Sequence, residues 1–237
     1  KSKGLVCLSS FEQKSAIKYK KNTIIIYEPN LIENLKSSET VEMQDNFLFD
    51  ENFVNIIYWG RLDYKLKGID RLLVFAKNTS EIDKKNIIKF HLMGPDYNNS
   101  IKKILLEINK LNLTNKVLIY PHGVWKNTKE PLIKADYSIL LGRWDGFPRS
   151  LRESVHYNVP IIITEETNFC DIVKATNCGV VLNQNKNDQM IFIDKLITNK
   201  NSIINSHKLG CKLAQHKISP QNYRNELYTF YKNIINS

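Results

Sequence analysis

Short apolar runs alternate with longer amphipathic stretches along this chain, and the alternation predicts its elements. Eight runs rich in β-branched residues and bounded by turn chemistry read as strands: GLVCLS (4 to 9), TIIIY (23 to 27), VNIIYWG (54 to 60), IKFHLMG (88 to 94), KVLIYP (116 to 121), YSILL (137 to 141), VPIIIT (159 to 164) and GVVLN (179 to 183). Helical spacing fills the gaps. GIDRLLVFAKN, 68 to 78, puts Ile69, Leu72, Leu73 and Ala76 on one face, and SIKKILLEINKLN, 100 to 112, repeats the pattern behind Ser100 as its cap. Further helices are predicted at 128 to 135, 149 to 157, 167 to 175, 187 to 199, 201 to 216 and 220 to 237. The last carries Tyr223, Leu227, Phe230 and Tyr231 as an aromatic stripe, which reads as packing. Apolar strands alternating with helices predict an α/β fold, a doubly wound parallel sheet with helices on both faces.

One region breaks the rhythm. Residues 28 to 52, EPNLIENLKSSETVEMQDNFLFDEN, contain Pro29, polar runs and several acids, and read as a linker. The expected division is 1–30 as the tail of one domain, 31–53 as linker, 54–219 as a Rossmann-like domain and 220–237 as a closing helix. The first piece, with two strand signals and one helix, is too small for a core of its own, so the chain reads as part of something longer.

Composition narrows the class. At 237 residues and 42% hydrophobic, the chain can bury one large core or two modest ones. No apolar run approaches the ~18 residues that span a bilayer. The start, KSKGLVCLSS, is too short in its apolar part for a signal peptide, and a soluble, cytoplasmic protein is expected. Cys7, Cys170, Cys178 and Cys211 make no C-x-x-C pair and read as small buried hydrophobes; the histidines lack metal-ligand spacing, so no metal site is expected. The net charge of +10 raises nucleic acid as a partner, but the lysines are dispersed and no recognition motif accompanies them. Solvated faces, with a peripheral attraction to an anionic membrane surface or substrate, are the expectation instead.

Two clusters carry chemistry. In YWGRLDYKLKGID a strand ends, Gly60 permits a tight turn, and Arg61, Lys65 and Lys67 follow before a helix near Gly68. Ligands of open α/β sheets bind beyond the carboxyl ends of strands, and an Arg fork beside a Lys point charge suits a pyrophosphate. In GRWDGFPRSLRES, Pro148 suits the first helical position and leaves the amides of Arg149, Ser150 and Leu151 as donors at a positive dipole end, an anion site. Asp145 before that helix can reach sugar hydroxyls, and Glu153 inside it can accept from vicinal hydroxyls such as those of ribose. The plainer readings are that Asp145 caps the helix and that Glu153 pairs with Arg149 at i, i+4.

The ordered set GRLDYKLKGIDRLL, FHLMGPDY, VLIYPHGV, ADYSILLGRWDGFPRSLRES, NVPIIITEETNFCDIV and GVVL resembles the carboxy-terminal, donor-binding half of retaining glycosyltransferases of the GT-B fold, family-four type, over roughly residues 54 to 183. The two ends resemble the family more weakly, as the last strands of its amino-terminal domain and its closing helix. The resemblance implies transfer of a sugar from a UDP- or GDP-linked donor, with retention, to a glycan or lipid-linked acceptor, in the manner of bacterial surface polysaccharide synthesis. No cofactor and no metal are implied. Arg61 and Lys67 would neutralise the diphosphate, with Gly60 beside them, and Glu153 would hold the ribose. Asp145, with the backbone of Gly146 and Phe147, would position the sugar, Arg149, Ser150 and Leu151 would meet the phosphate, and the backbone at Val124 would meet the base. The family's Glu, seven residues, Glu pattern is here Asp145 and Glu153, a shorter acid at the first position. The acceptor is expected to bind through an amino-terminal domain this chain lacks, leaving the half alone inactive. His122 could face the cleft or serve structure. The rivals are a nucleotide-sugar epimerase of the same architecture and a non-catalytic basic module binding glycans or nucleic acid.

Overall fold

The computed structural model describes residues 3–29, 49–120, 130–183 and 185–236. All eight predicted strands form, each trimmed at its ends. β1 (Leu5–Cys7) and β2 (Thr23–Ile25) pair in parallel across α1 (Ser10–Ala16) as a small sheet. The main sheet contains β3 (Val54–Trp59), β4 (Ile88–Met93), β5 (Val117–Tyr120), β6 (Tyr137–Leu140), β7 (Ile161–Ile163) and β8 (Gly179–Val181). Every pairing is parallel and the order is β5-β4-β3-β6-β7-β8. The chain steps outward from β3 to β5, then returns and steps outward the other way from β6. With right-handed crossovers, that reversal puts α2 (Ile69–Ile82) and α3 (Ser100–Lys110) on one face and α4 (Glu130–Lys134), α5 (Arg149–His156) and α6 (Cys170–Thr176) on the other. The switch point lies between β3 and β6.

Both faces are buried, which explains why the strands read as continuous apolar runs. Val54, Ile56 and Tyr58 face one layer with Leu72, Phe75 and Ala76 of α2, while Ile57 and Trp59 face a smaller cluster with Met93, Leu132, Ala135 and Val159. α7 (Lys186–Thr198) packs on α2, and α8 (Lys200–Lys217) lies across α5 and α6. Gln215 of α8 donates to the last carbonyls of α5, Val155 and His156.

Several local expectations need correction. Ser100 is not the cap of α3 but its first residue; Asn99, in the left-handed region at φ 54°, precedes it, and Asp96 Oδ1 accepts from the Ile101 amide, 3.1 Å. Ser100 is buried, and its hydroxyl accepts from the Tyr64 amide. Pro148 is the residue before α5 rather than its first. The stripe on α9 (Pro220–Ile235) consists of Tyr223, Leu227, Phe230 and Ile234, all partly covered, whereas Tyr231 is exposed. That stripe packs toward the small sheet: a Cβ on Gly4 would meet Ile234 and Phe230 at 2.6 and 2.7 Å. Phe49, within the expected linker, lies edge-on to His91 with ring centroids 4.5 Å apart. Residues 30 to 48 of the expected linker, with the loop at 121 to 129 holding His122 and Val124, lie outside the described residues. All four cysteines are free, three of them buried and Cys170 partly so.

Candidate donor-binding cleft

Beyond the carboxyl ends of β3, β4 and β6, at the switch point, a cleft of about 660 Å³ opens. Its walls are Gly60, Arg61 and Lys67 from one side, Asp145 and the start of α5 from the other, and Met93, Gly94 and Pro95 at the β4 end.

The Arg61 backbone is fixed because the β3–β4 ladder continues past it: Gly60 N–H donates to Met93 at 2.9 Å and Leu62 N–H to Pro95 at 2.8 Å. Gly94 adopts φ 152°, and a Cβ there would sit 1.8 Å from the Gly60 carbonyl oxygen, so the two loops touch backbone to backbone. The Arg61 guanidinium lies 4.0 Å above the Tyr97 ring and 3.8 Å from Asp63, and stays largely open to solvent. Asp63 also accepts from the Leu66 amide at 3.0 Å. Buried Tyr58 donates its hydroxyl to the Arg61 carbonyl; burial first, then the charge of Asp145, raises its pKa far above the ordinary tyrosine range, so it remains a donor.

Lys65 and Lys67 part company here. Lys65 points outward and pairs with Asp70 at 2.9 Å. Lys67 turns into the cleft and meets Asp145 Oδ1 at 2.7 Å. The turn that follows them rests on Gly68, at φ 71°, where a Cβ would sit 1.8 Å from the Leu141 oxygen. Arg143 clamps the same loop: its amide donates to Leu66, its guanidinium donates to the Lys65 carbonyl at 2.6 Å, and it makes a forked pair with Asp70, 2.7 Å in each arm. That pair and Lys65 hold the Asp70 carboxyl below its ordinary pKa against the opposing effect of burial.

Asp145 is buried and bridges in parallel to Thr167. It does not cap α5, which carries no side-chain cap; one carboxylate oxygen meets Lys67 and the other has no partner among the described residues. The Arg152 amide is the first of α5 to find a helical acceptor, Pro148, at 3.2 Å. The amides of Arg149, Ser150 and Leu151 therefore form an open helix start at the cleft wall. Glu153, one turn in, is buried, with Oε1 3.2 Å from Arg149 Nε and Oε2 accepting from the indole N–H of Trp59 at 3.0 Å. The i, i+4 pair thus exists, beside a second contact that sequence spacing could not show. Phe147 and Leu151 turn their side chains into the core, Phe147 stacking on Phe169 at 4.9 Å, and neither they nor Gly146 line the cleft. Gly146 is not in the left-handed region, and a Cβ on it would meet open space.

Sequence reasoning missed Trp59, Tyr58, Tyr97 and the Met93–Pro95 turn. Trp59 and Tyr58 read as core strand residues, and only their place at the last two positions of the first sheet strand marked them. Arg61, Lys67, Asp145, Arg149, Ser150 and Glu153 all line one cleft, as does Gly60.

The family profile "Glycosyl transferases group 1" matches residues 40–210. The chain belongs to that family. A curated relative, an uncharacterized glycosyltransferase of Methanocaldococcus jannaschii, is 31% identical over 141 residues, 59% of this chain and 32% of its own length. Among solved structures, Anabaena HepE in complex with UDP aligns at TM-score 0.74 with 12% identity, covering 98% of this chain and 64% of that one. Staphylococcus aureus TarM, solved with fondaparinux, α-GlcNAc-glycerol and UDP, aligns at TM-score 0.69 with 19% identity over 99% of this chain and 44% of that one. WaaG, a glycosyltransferase of lipopolysaccharide biosynthesis, aligns at 0.68 with 18% identity, covering 92% and 59%. At these identities the structures establish the fold. This family member spans less than two thirds of each of these proteins.

Proposed function

We propose that this chain is the donor-binding half of a retaining glycosyltransferase that moves a sugar from a nucleoside diphosphate, UDP or GDP, to a glycan or lipid-linked acceptor. The observation that carries the reading is the convergence of Lys67, Arg61 and the open start of α5 on one cleft at the switch point of the sheet. Family membership supports transfer; the UDP in the HepE and TarM structures favours a uridine donor.

In this reading Arg61 and Lys67 take up charge developing on the departing diphosphate, where fixed cations in a water-poor cleft act most strongly. The amides of residues 149 to 151 hold the phosphate at the positive end of α5. Glu153 accepts from the ribose hydroxyls, and Asp145 with the backbone at 146 and 147 holds the sugar. The open space that a Cβ on Gly146 would meet agrees with a ligand passing there. Because Asp145 grips Lys67 at 2.7 Å, an arriving diphosphate competes for that ammonium, and Asp145 is released toward the sugar as Lys67 turns to the phosphate.

The acceptor side belongs to the part of the family that this chain does not cover, and transfer is proposed for the longer protein. Residues 1–30 are read as the edge of that acceptor domain, 31–53 as the linker and α9 as the helix that closes back on it. A role in surface polysaccharide synthesis, a cytoplasmic location and a peripheral contact with an anionic membrane through the +10 charge are the accompanying proposals. No helix among the described residues is long and apolar enough to cross a membrane.

The test is incubation of the longer protein with UDP- and GDP-hexoses and a glycan acceptor, reading nucleotide release and anomeric configuration by NMR. Sugar transfer with the donor's configuration kept is expected; interconversion of the hexose without transfer, or inversion, overturns the reading.

A further inference from the structure

One contact of Glu153 lies outside the charged machinery. Its Oε1 contact, Arg149, has a side chain 78% exposed and exchanges readily with water. Its Oε2 contact, the Trp59 indole, is 7% exposed and packed among Ile57, Met93, Leu132, Ala135 and Val159. Trp59 ends β3 at the floor of the cleft, and Glu153 stands on α5 across the switch point, 94 residues later. A tryptophan N–H has one direction, set by a ring that core packing holds still. It fixes the plane of a buried carboxylate, and with it the direction in which the remaining lone pairs point.

We infer that Trp59 is a positioning residue for nucleotide recognition: its indole N–H aims Glu153 so that the carboxylate accepts from the two vicinal hydroxyls of the donor's ribose. The inference rests on the proposed ribose role of Glu153 and adds the group that gives it geometry. Two vicinal hydroxyls need both lone-pair directions at once, so a rotated carboxylate loses more than one that keeps its plane. A tryptophan here is therefore a determinant of ribose discrimination as well as a core residue.

The experiment is calorimetric titration of the chain with UDP and with 2′,3′-dideoxy-UDP, for the wild type, Trp59→Phe, and a chain carrying 3-benzothienylalanine at position 59. That analogue keeps the indole's shape and lacks the donor. The wild type should prefer UDP; both altered chains should lose about tenfold in UDP affinity, the scale of one hydrogen bond to a charged group, with dideoxy-UDP affinity unchanged. A preference kept intact in the benzothienyl chain overturns the inference while leaving the nucleotide site standing. Equal losses for both ligands in that chain also overturn it, because a purely structural tryptophan would act that way. A wild type that binds the two alike removes the ribose role of Glu153, and the inference with it.

Discussion

Lys65 and Lys67 sit two residues apart in one loop, and their surroundings separate them. Lys65 is paired with Asp70 at an exposed site, the kind of ion pair worth ~0–1 kcal/mol. Lys65→Ala should leave UDP affinity within about twofold of wild type and barely move the melting temperature. If the proposed transfer holds, Lys67→Ala should lower it at least ~10²-fold, on the scale of one preorganised electrostatic donor, with Arg61→Ala behaving alike. Steady-state kinetics on the three variants checks the distinction. A second residue-scale expectation concerns His91, buried between Asn55, Tyr120 and Phe49, its Nε2 3.0 Å from Asn55 Oδ1. Burial, reinforced by nearby Lys89, lowers its pKa from 6.5 to about 4. The folded protein thus favours neutral His91, and stability complete above pH 6.5 is lost as pH falls toward 4, by about 3 kcal/mol in all. Buried His207 titrates in the same sense. Chemical denaturation between pH 7 and 4 should show this loss, and His91→Gln should flatten it by about one proton. At this scale the sequence disclosed which residue types were present but not their partners. Asp145 could be read as a cap and Glu153 as half of a helix pair because i, i+4 spacing is visible along a chain, whereas Trp59 to Glu153 joins residues that only the fold brings together.

Elements were the most legible scale, since a sheet buried on both faces writes itself as apolar runs and its helices as 3.6-residue stripes. What escaped was the chemistry of their ends. α3 starts after two asparagines in the left-handed region, Asn98 and Asn99, so the serine expected as a cap falls inside the helix. α9 directs Ile234 rather than Tyr231 at the small sheet, because positions 223, 227, 230 and 234 follow the helical repeat and 231 lies a step off it. The start of α2 yields a prediction. Gly68→Ala puts a Cβ against the Leu141 oxygen at a left-handed position, which should cost about 2 kcal/mol or more and displace the neighbouring Lys67. Thermal denaturation and UDP titration of the same variant should therefore fall together.

The whole molecule joins its small amino-terminal sheet to the main body through several contacts. The Ser10 amide and hydroxyl both donate to Asp171, at 2.7 and 2.8 Å; Asn168 donates to Glu12; and Arg152 holds the Pro29 carbonyl at 2.9 Å. The first 29 residues were legible as two strands and a helix, but the polar contacts docking them to α5 and α6 were not, because each spans more than a hundred residues of sequence. The net charge of +10 is likewise a property of the whole, with its lysines dispersed along the sequence. An oligonucleotide should accordingly bind weakly and lose affinity steeply with salt, while a diphosphate held by fixed donors in a cleft responds less.

The central claim is that cations after β3 and the start of α5 serve one nucleoside diphosphate. Calorimetric titration of the chain with UDP and GDP, repeated for Lys67→Ala and Glu153→Ala with the fold checked by circular dichroism, tests it most directly. The expected result is a single saturable site for one of the two nucleotides, weakened at least about tenfold in each folded variant. No saturable binding of either nucleotide, or binding unchanged in both variants, would contradict it.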